Sequence, residues 1–225
     1  GWNAGGCAGI LISPCWALTA AHCVTGNRDG KVNGLYVNAW KPFEGNDDVP
    51  FHFTSVSESD IIVKDDYDGA GYNRNDLALI RMGRCADTVK FPPMKLADPS
   101  YIDSHINAGA MSTVYGFGKL SDDGAQSRKL LRADVPLIDP NTCETFYRGQ
   151  IDEDDHVCAG MPLETDASKR RDACGGDSGG PLIVDADSST PAVIGIVSSG
   201  RGCAGYESPG IYASVPVHYE WITTT

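Results

Sequence analysis

The chain contains no apolar run long enough to cross a membrane. Basic residues are scarce: 18 Lys and Arg stand against 30 Asp and Glu, a formal net charge of −12 that argues against nucleic acid as a partner. The one basic run, Lys169-Arg170-Arg171, sits in that negative field and reads as an exposed loop, not a polyanion site. Neither a secretory leader nor a transit peptide is present at Gly1, so the sequence is expected to represent a mature or trimmed region. Asn-x-Ser/Thr sequons, internal repeats and low-complexity tracts are also missing. Long helical periodicity is absent until residues 217–225, which follow Pro216 and are expected to open a short, truncated helix.

What is present is a succession of short apolar runs punctuated by Gly, Pro, Asn and Asp. Residues 9–12, 16–18, 35–37, 61–63, 77–80, 113–117, 182–184, 193–197 and 210–215 have the length and spacing of strands in an all-β sandwich or barrel. The chain of 225 residues suffices for one large β domain or two small ones. Residues 82–108, with Pro92, Pro93 and Pro99, form the candidate linker between two β units. Eight cysteines without the paired short spacings of a zinc site point to disulfides and an oxidising compartment, free buried thiols being the alternative. Acidic or polar loops at 45–48, 64–75, 121–126 and 152–155 match no ordered calcium pattern and are expected to be solvated.

One stretch stands apart, Asp172-Ala-Cys-Gly-Gly-Asp-Ser-Gly-Gly-Pro181. Ser178 lies among Gly175, Gly176, Gly179 and Gly180, where it is either part of a surface loop or a nucleophile. As a nucleophile it would have the N–H groups of Gly176 and Ser178 at hand to stabilise an oxyanion. It would also need a base. Of five histidines, His52, His105, His156 and His218 lie in polar or Pro-adjacent surroundings and are expected at the surface. His22 follows the strand-like Trp16-Ala-Leu-Thr-Ala-Ala and precedes Cys23, so it would be held in place, as a structural or a catalytic group. Asp76 heads Asp76-Leu-Ala-Leu-Ile80, as a turn residue or as the acid that orients an imidazole. Taken together, the three supply a base, an orienter and a nucleophile.

Thr19-Ala-Ala-His-Cys23, Asp76-Leu-Ala-Leu and Gly176-Asp-Ser-Gly-Gly-Pro181 together resemble the motifs of the chymotrypsin/trypsin-like serine proteases, in the family's order and spacing. The resemblance runs from Cys7 to Trp221. It implies an all-β fold of two antiparallel six-stranded β-barrels with a short C-terminal helix. Residues 1–95 would be an incomplete first barrel, carrying His22 and Asp76, with the linker, and residues 96–225 the second, carrying Ser178.

It also implies roles: Ser178 the nucleophile, His22 the base, Asp76 the orienter, Ser198 a support for Asp76, and Gly176 and Ser178 the oxyanion hole. The bridges expected by resemblance are Cys7–Cys23, Cys143–Cys158, Cys174–Cys203 and, as in some members, Cys15–Cys85. Asp172 matches the aspartate of trypsin-type specificity pockets, with Gly200 and Gly210 leaving the pocket open, which implies cleavage after Arg or Lys. A pairing of Asp172 with Arg171 would remove that signal. Ala173 departs from a serine common in the family. Ser199 replaces a tryptophan, which should weaken apolar contacts to substrate upstream of the cleaved bond.

The expected activity is a secreted serine endopeptidase working through an acyl-enzyme, with no metal or cofactor. Protein substrates and protein protease inhibitors are its expected partners. Activated relatives pair a new amino terminus with the aspartate matching Asp177, which is therefore expected to be unpaired in this chain. Two explanations fit the missing Ile/Val-led start: a trimmed zymogen, or a catalytically silent homologue acting as a binding or regulatory module.

Overall fold

The computed structural model of the protein describes residues 6–25, 34–37 and 52–225. The first half of the chain forms strands β1 (Ile10–Ser13) and β2 (Trp16–Thr19), then a helical turn α1 (His22–Thr25). Strands β3 (Gly34–Val37), β4 (His52–Ser55), β5 (Ile61–Val63) and β6 (Ala78–Arg81) follow. A four-stranded antiparallel sheet has the order β1-β2-β6-β5, and β3 pairs with β4 separately. The β2–β6 register sets Thr19 opposite Ala78. Antiparallel pairing therefore brings the residues just after β2, including His22, alongside those just before β6, including Asp76.

The expected linker contains a short strand β7 (Lys95–Leu96), and one turn of π-helix follows at Ile102–Ile106. Next come β8 (Met111–Gly116), β9 (Leu131–Ile138), helix α2 (Pro140–Tyr147) and β10 (His156–Ala159). The chain ends with β11 (Pro181–Val184), β12 (Ala192–Ser199), β13 (Gly210–Ser214) and α3 (Tyr219–Thr224). The order β11-β8-β9-β10-β13-β12, with β11 also paired to β12, closes a six-stranded antiparallel barrel, and β7 adds to β12 in parallel. Val114, Val135, Val157, Leu182, Ile194 and Tyr212 fill its interior.

Several strands are buried on both faces, because each half packs against the other. In β2 and β6, Ala17 and Ile80 face the core of the first half, while their neighbours Leu18 and Leu79 join a second cluster with Ile183, Ile196, Val215 and Ile222. That shared cluster lies between the halves and surrounds the segments carrying Asp76 and Ser198. In β12 the pairing with β11 skips Ile194, a bulge that swaps the faces and lets Val193 and Ile196 both meet the first half.

Four disulfides, Cys7–Cys23, Cys15–Cys85, Cys143–Cys158 and Cys174–Cys203, leave no free cysteine among the described residues. The first braces α1; the last ties the segment before Ser178 to the loop between β12 and β13.

Helix α2 corrects the expectation that helical structure begins only at residue 217. Local chemistry starts it: Asp139 caps the helix by accepting the Thr142 N–H at 3.0 Å, and Pro140 occupies the first turn. Arg148 and Gly149 end it in left-handed backbone, at φ 55° and 77°. Only eight residues long, it buries Cys143 and Tyr147, four apart on one face.

Candidate active site

Asp76 is fully buried at the entrance to β6. One carboxylate oxygen, Oδ1, accepts the His22 backbone N–H at 2.8 Å. The other, Oδ2, lies 2.7 Å from His22 Nδ1 and accepts the Ser198 hydroxyl at 2.5 Å. An ionised carboxylate only accepts, so Nδ1 carries the proton and Nε2 of the neutral ring is left with a lone pair. The Cys7–Cys23 bridge sits beside that ring, with Cys23 Sγ 3.7 Å from Nε2. Cys7, His22 and Cys23 are close enough to suggest a metal site, but sulfurs joined in a disulfide are not thiolate ligands.

Ser178 belongs to a tight loop wedged between the halves. Its carbonyl accepts the Ala8 N–H at 2.7 Å, and the Ala8 carbonyl in turn accepts the Thr19 hydroxyl at 2.7 Å. On the other side Gly179 N–H donates to Val197 O at 2.8 Å, one residue from Ser198. A Cβ at Gly179 would overlap Ala8 O and Thr19 Oγ1, and its φ of +77° also favours glycine. The same strand ends thus hold Ser178, His22 and Asp76. Among the described residues, no hydrogen bond joins Ser178 Oγ to His22 Nε2, and the N–H groups of Gly176 and Ser178 donate to no protein acceptor. Those two donors remain available to a ligand oxygen.

Asp177 is buried and accepts N–H bonds from Gly118 at 2.7 Å and Cys174 at 2.9 Å. Both donors are neutral backbone groups, and among the described residues no cation pairs with Asp177. Desolvation still dominates and raises its pKa despite the two bonds.

Asp172 lies against the loop after Gly200 and the start of β13. It accepts N–H bonds from Ala173 at 2.8 Å and Ala204 at 3.2 Å. Desolvation outweighs them and pushes its carboxyl up to about 7. Arg171 turns away, its guanidinium donating to the carbonyls of Ser168 and Arg170. A Cβ on Gly210 would come within 2.5 Å of Asp172 Oδ1, so a side chain there would push the carboxylate out of place; a Cβ on Gly200 would point to within 3.9 Å of Gly210 Cα. Beyond Ser198, Ser199 Oγ donates to Tyr72 O at 3.3 Å. The Arg201 guanidinium lies 4.7 Å from the centre of the Tyr147 ring and donates to Tyr72 Oη at 2.7 Å. Sequence reasoning passed over this Arg201–Tyr72–Tyr147 group, whose members are scattered along the chain.

Two of the histidines expected at the surface are buried, His156 at 3% and His218 at 7% exposure, as is Asp155 at 3% in a loop expected to be solvated. Mutual pairing makes their burial tolerable. His105 is half-buried, stacked on Tyr101 and facing Asp185 at 3.3 Å. The side chain of His52 and the loop at 45–48 lie outside the described residues.

A closed β-barrel packed on a second β lobe, with a carboxylate-bound imidazole and a glycine-flanked serine at their junction, is the architecture of a serine hydrolase. The family model described as "Trypsin" matches residues 2–222. This chain belongs to the trypsin family of serine proteases. It is similar to phenoloxidase-activating enzyme 1 of Spodoptera litura, at 31% identity over 97% of this chain and 58% of that protein. The urokinase-type plasminogen activator of Gallus gallus is 34% identical over 96% of this chain and 50% of its own length. Trypsin zeta of Drosophila erecta is 35% identical over 96% and 72%. The chain spans about half the length of the first two relatives, 58% and 50%. Among the described residues no helix is long and apolar enough to cross a membrane.

Proposed function

We propose that this protein is a secreted serine endopeptidase that cleaves protein substrates after Arg or Lys through an acyl-enzyme. Ser178 attacks the scissile carbonyl while His22 Nε2 takes its proton. His22 returns that proton to the leaving amine, and water then releases the acyl group by the same steps. Asp76 fixes the imidazole tautomer and offsets its positive charge, with Ser198 holding the shared carboxylate oxygen. The N–H groups of Gly176 and Ser178 receive the oxyanion; one such donor contributes about 3 kcal/mol to transition-state stabilisation. The observation that carries this reading is the buried Asp76 carboxylate bonded to both His22 and Ser198 at 2.7 and 2.5 Å.

Asp172 supports the preference for basic residues. A carboxylate raised to about 7 by desolvation lacks a cation, and a substrate guanidinium or ammonium supplies it. Asp177, raised for the same reason, is the acceptor for an amino terminus generated by activating cleavage. The four disulfides support an oxidising, extracellular location. Residues 1–95 and 96–225 are the two lobes of one peptidase domain.

Titration of the activated protein with an organophosphate, followed by hydrolysis of Arg, Lys, Phe and Ala amide substrates, tests the proposal. One adduct on Ser178 and turnover of the Arg and Lys substrates are expected. Faster cleavage after Phe overturns the specificity, and absence of any adduct overturns the activity.

A further inference from the structure

Asp155, His156 and His218 form a buried ionisable cluster that the proposed reaction does not use. It gathers groups from three parts of the chain around one carboxylate. Asp155 Oδ2 accepts the backbone N–H of Asn75 at 2.9 Å, and Oδ1 accepts from His218 Nε2 at 2.6 Å. His156 Nδ1 accepts the Asp152 N–H at 3.2 Å, which places the proton of its neutral ring on Nε2. That Nε2 faces Asp155 Oδ2 at 3.3 Å without an aligned hydrogen bond. Desolvation would raise the Asp155 carboxyl, but the bonds from His218 and Asn75 hold it below its usual range.

The position of Asn75 gives the cluster its meaning. Asn75 immediately precedes Asp76 and adopts left-handed backbone at φ 56°, a conformation that asparagine tolerates better than most residues. Its carbonyl accepts the Leu77 N–H at 2.7 Å and its N–H is held by Asp155, so the peptides on both sides of Asn75, the second of which leads into Asp76, are fixed. Asp155 immediately precedes β10 and His218 immediately precedes α3, both in the second lobe, whereas Asp76 belongs to the first. Packing alone would be served as well by apolar residues of similar volume, since burying a charge is costly.

We propose that Asp155 is a positioning residue: through the Asn75 backbone it sets the Asp76 carboxylate against His22, and His218 holds Asp155 in place. This rests on the protease reading above. Asp155→Asn keeps the shape but turns an amide N–H toward Asn75 or His218. His218→Phe removes the donor, and His218→Gln restores one.

The activated protein and these variants in the same activated form are compared by steady-state kinetics and by the low-field proton resonance of His22 Nδ1–H. Asp155→Asn and His218→Phe should lower kcat by about 10- to 100-fold with KM nearly unchanged, the size of effect expected from a small misplacement of a reacting group. Both should weaken or lose the low-field signal, and His218→Gln should keep most of each. Folded variants with the parent's kcat and signal overturn the proposal, even if less stable. Should Asp155→Asn not fold, the two His218 variants decide. A parent that shows the resonance without turnover refutes the protease reading, while the resonance in the variants still decides the positioning role.

Discussion

Asp172 should make the protein less stable in order to make it specific. Its folded-state carboxyl sits at about 7 against an ordinary 3.8. The shift is upward, so the protonated form is favoured by folding. The folded state is under no penalty below the unfolded value, loses stability as pH rises from there toward 7, and carries the full cost above 7. About three units correspond to at most about 4 kcal/mol. Asp172→Asn removes the charge but leaves an amide with incomplete partners, so a gain of about 2 kcal/mol at pH 8 is a fair expectation. For a chain of 225 residues that is a rise in Tm of about 4–8 °C. At pH 4, where the charge cost has nearly vanished but the amide penalty has not, the variant should be about 1–2 kcal/mol less stable than the parent. Specificity should move the other way: the ratio of kcat/KM for Arg over a neutral substrate should fall by about 100-fold or more in the variant at pH 8, the scale of losing one partner of a buried ion pair. In the parent the same ratio should drop about tenfold per pH unit below 7, since only ionised Asp172 attracts the cation. A variant no more stable than the parent at pH 8, or equally stabilised at pH 4, would refute the reasoning.

Other outcomes follow from the same geometry. Asp76→Asn should leave the fold intact but present the wrong imidazole tautomer, lowering kcat by about 10⁴-fold in an amidase assay. Ser198→Ala deletes the 2.5 Å bond to Asp76, a charge-assisted contact whose loss should cost about 1.5–3 kcal/mol in urea unfolding. Replacing Cys15 and Cys85 by Ala opens a loop of sequence separation 70, and chain entropy predicts a loss of about 4 kcal/mol, read from the denaturation midpoint. Asp155 has a depressed pKa, so its contribution is present above its unfolded value and is lost as pH falls through the folded one. Stability in acid should therefore decline less steeply in Asp155→Asn than in the parent.

Much of the fold was legible because its strands are short, apolar and bounded by turn residues. Ile61–Val63 is an expected strand found with the same bounds, and Trp16–Thr19 extends its expected run by one residue. Strand β9 escaped notice because Leu-Arg-Ala-Asp-Val-Pro-Leu-Ile carries two charges and a proline, with its first half exposed and only Val135 and Leu137 buried. Among the described residues the six strands of the first half form two separate sheets, where an incomplete first barrel was expected.

The motifs around His22, Asp76 and Ser178 could be found because local sequence carries them. The burial of His156 and His218 could not: the partner of His218 lies 63 residues away, and no local pattern announces a buried carboxylate. The two backbone N–H donors to Asp177 were not legible for a related reason, because their approach depends on the fold.

The most direct measurement is to expose a mixture of defined peptides to the activated protein and read the new C termini by mass spectrometry, with Ser178→Ala as control. New C termini at Arg and Lys, absent with the variant, are the predicted result. Cleavage after other residues, no cleavage, or equal cleavage by Ser178→Ala would contradict the account.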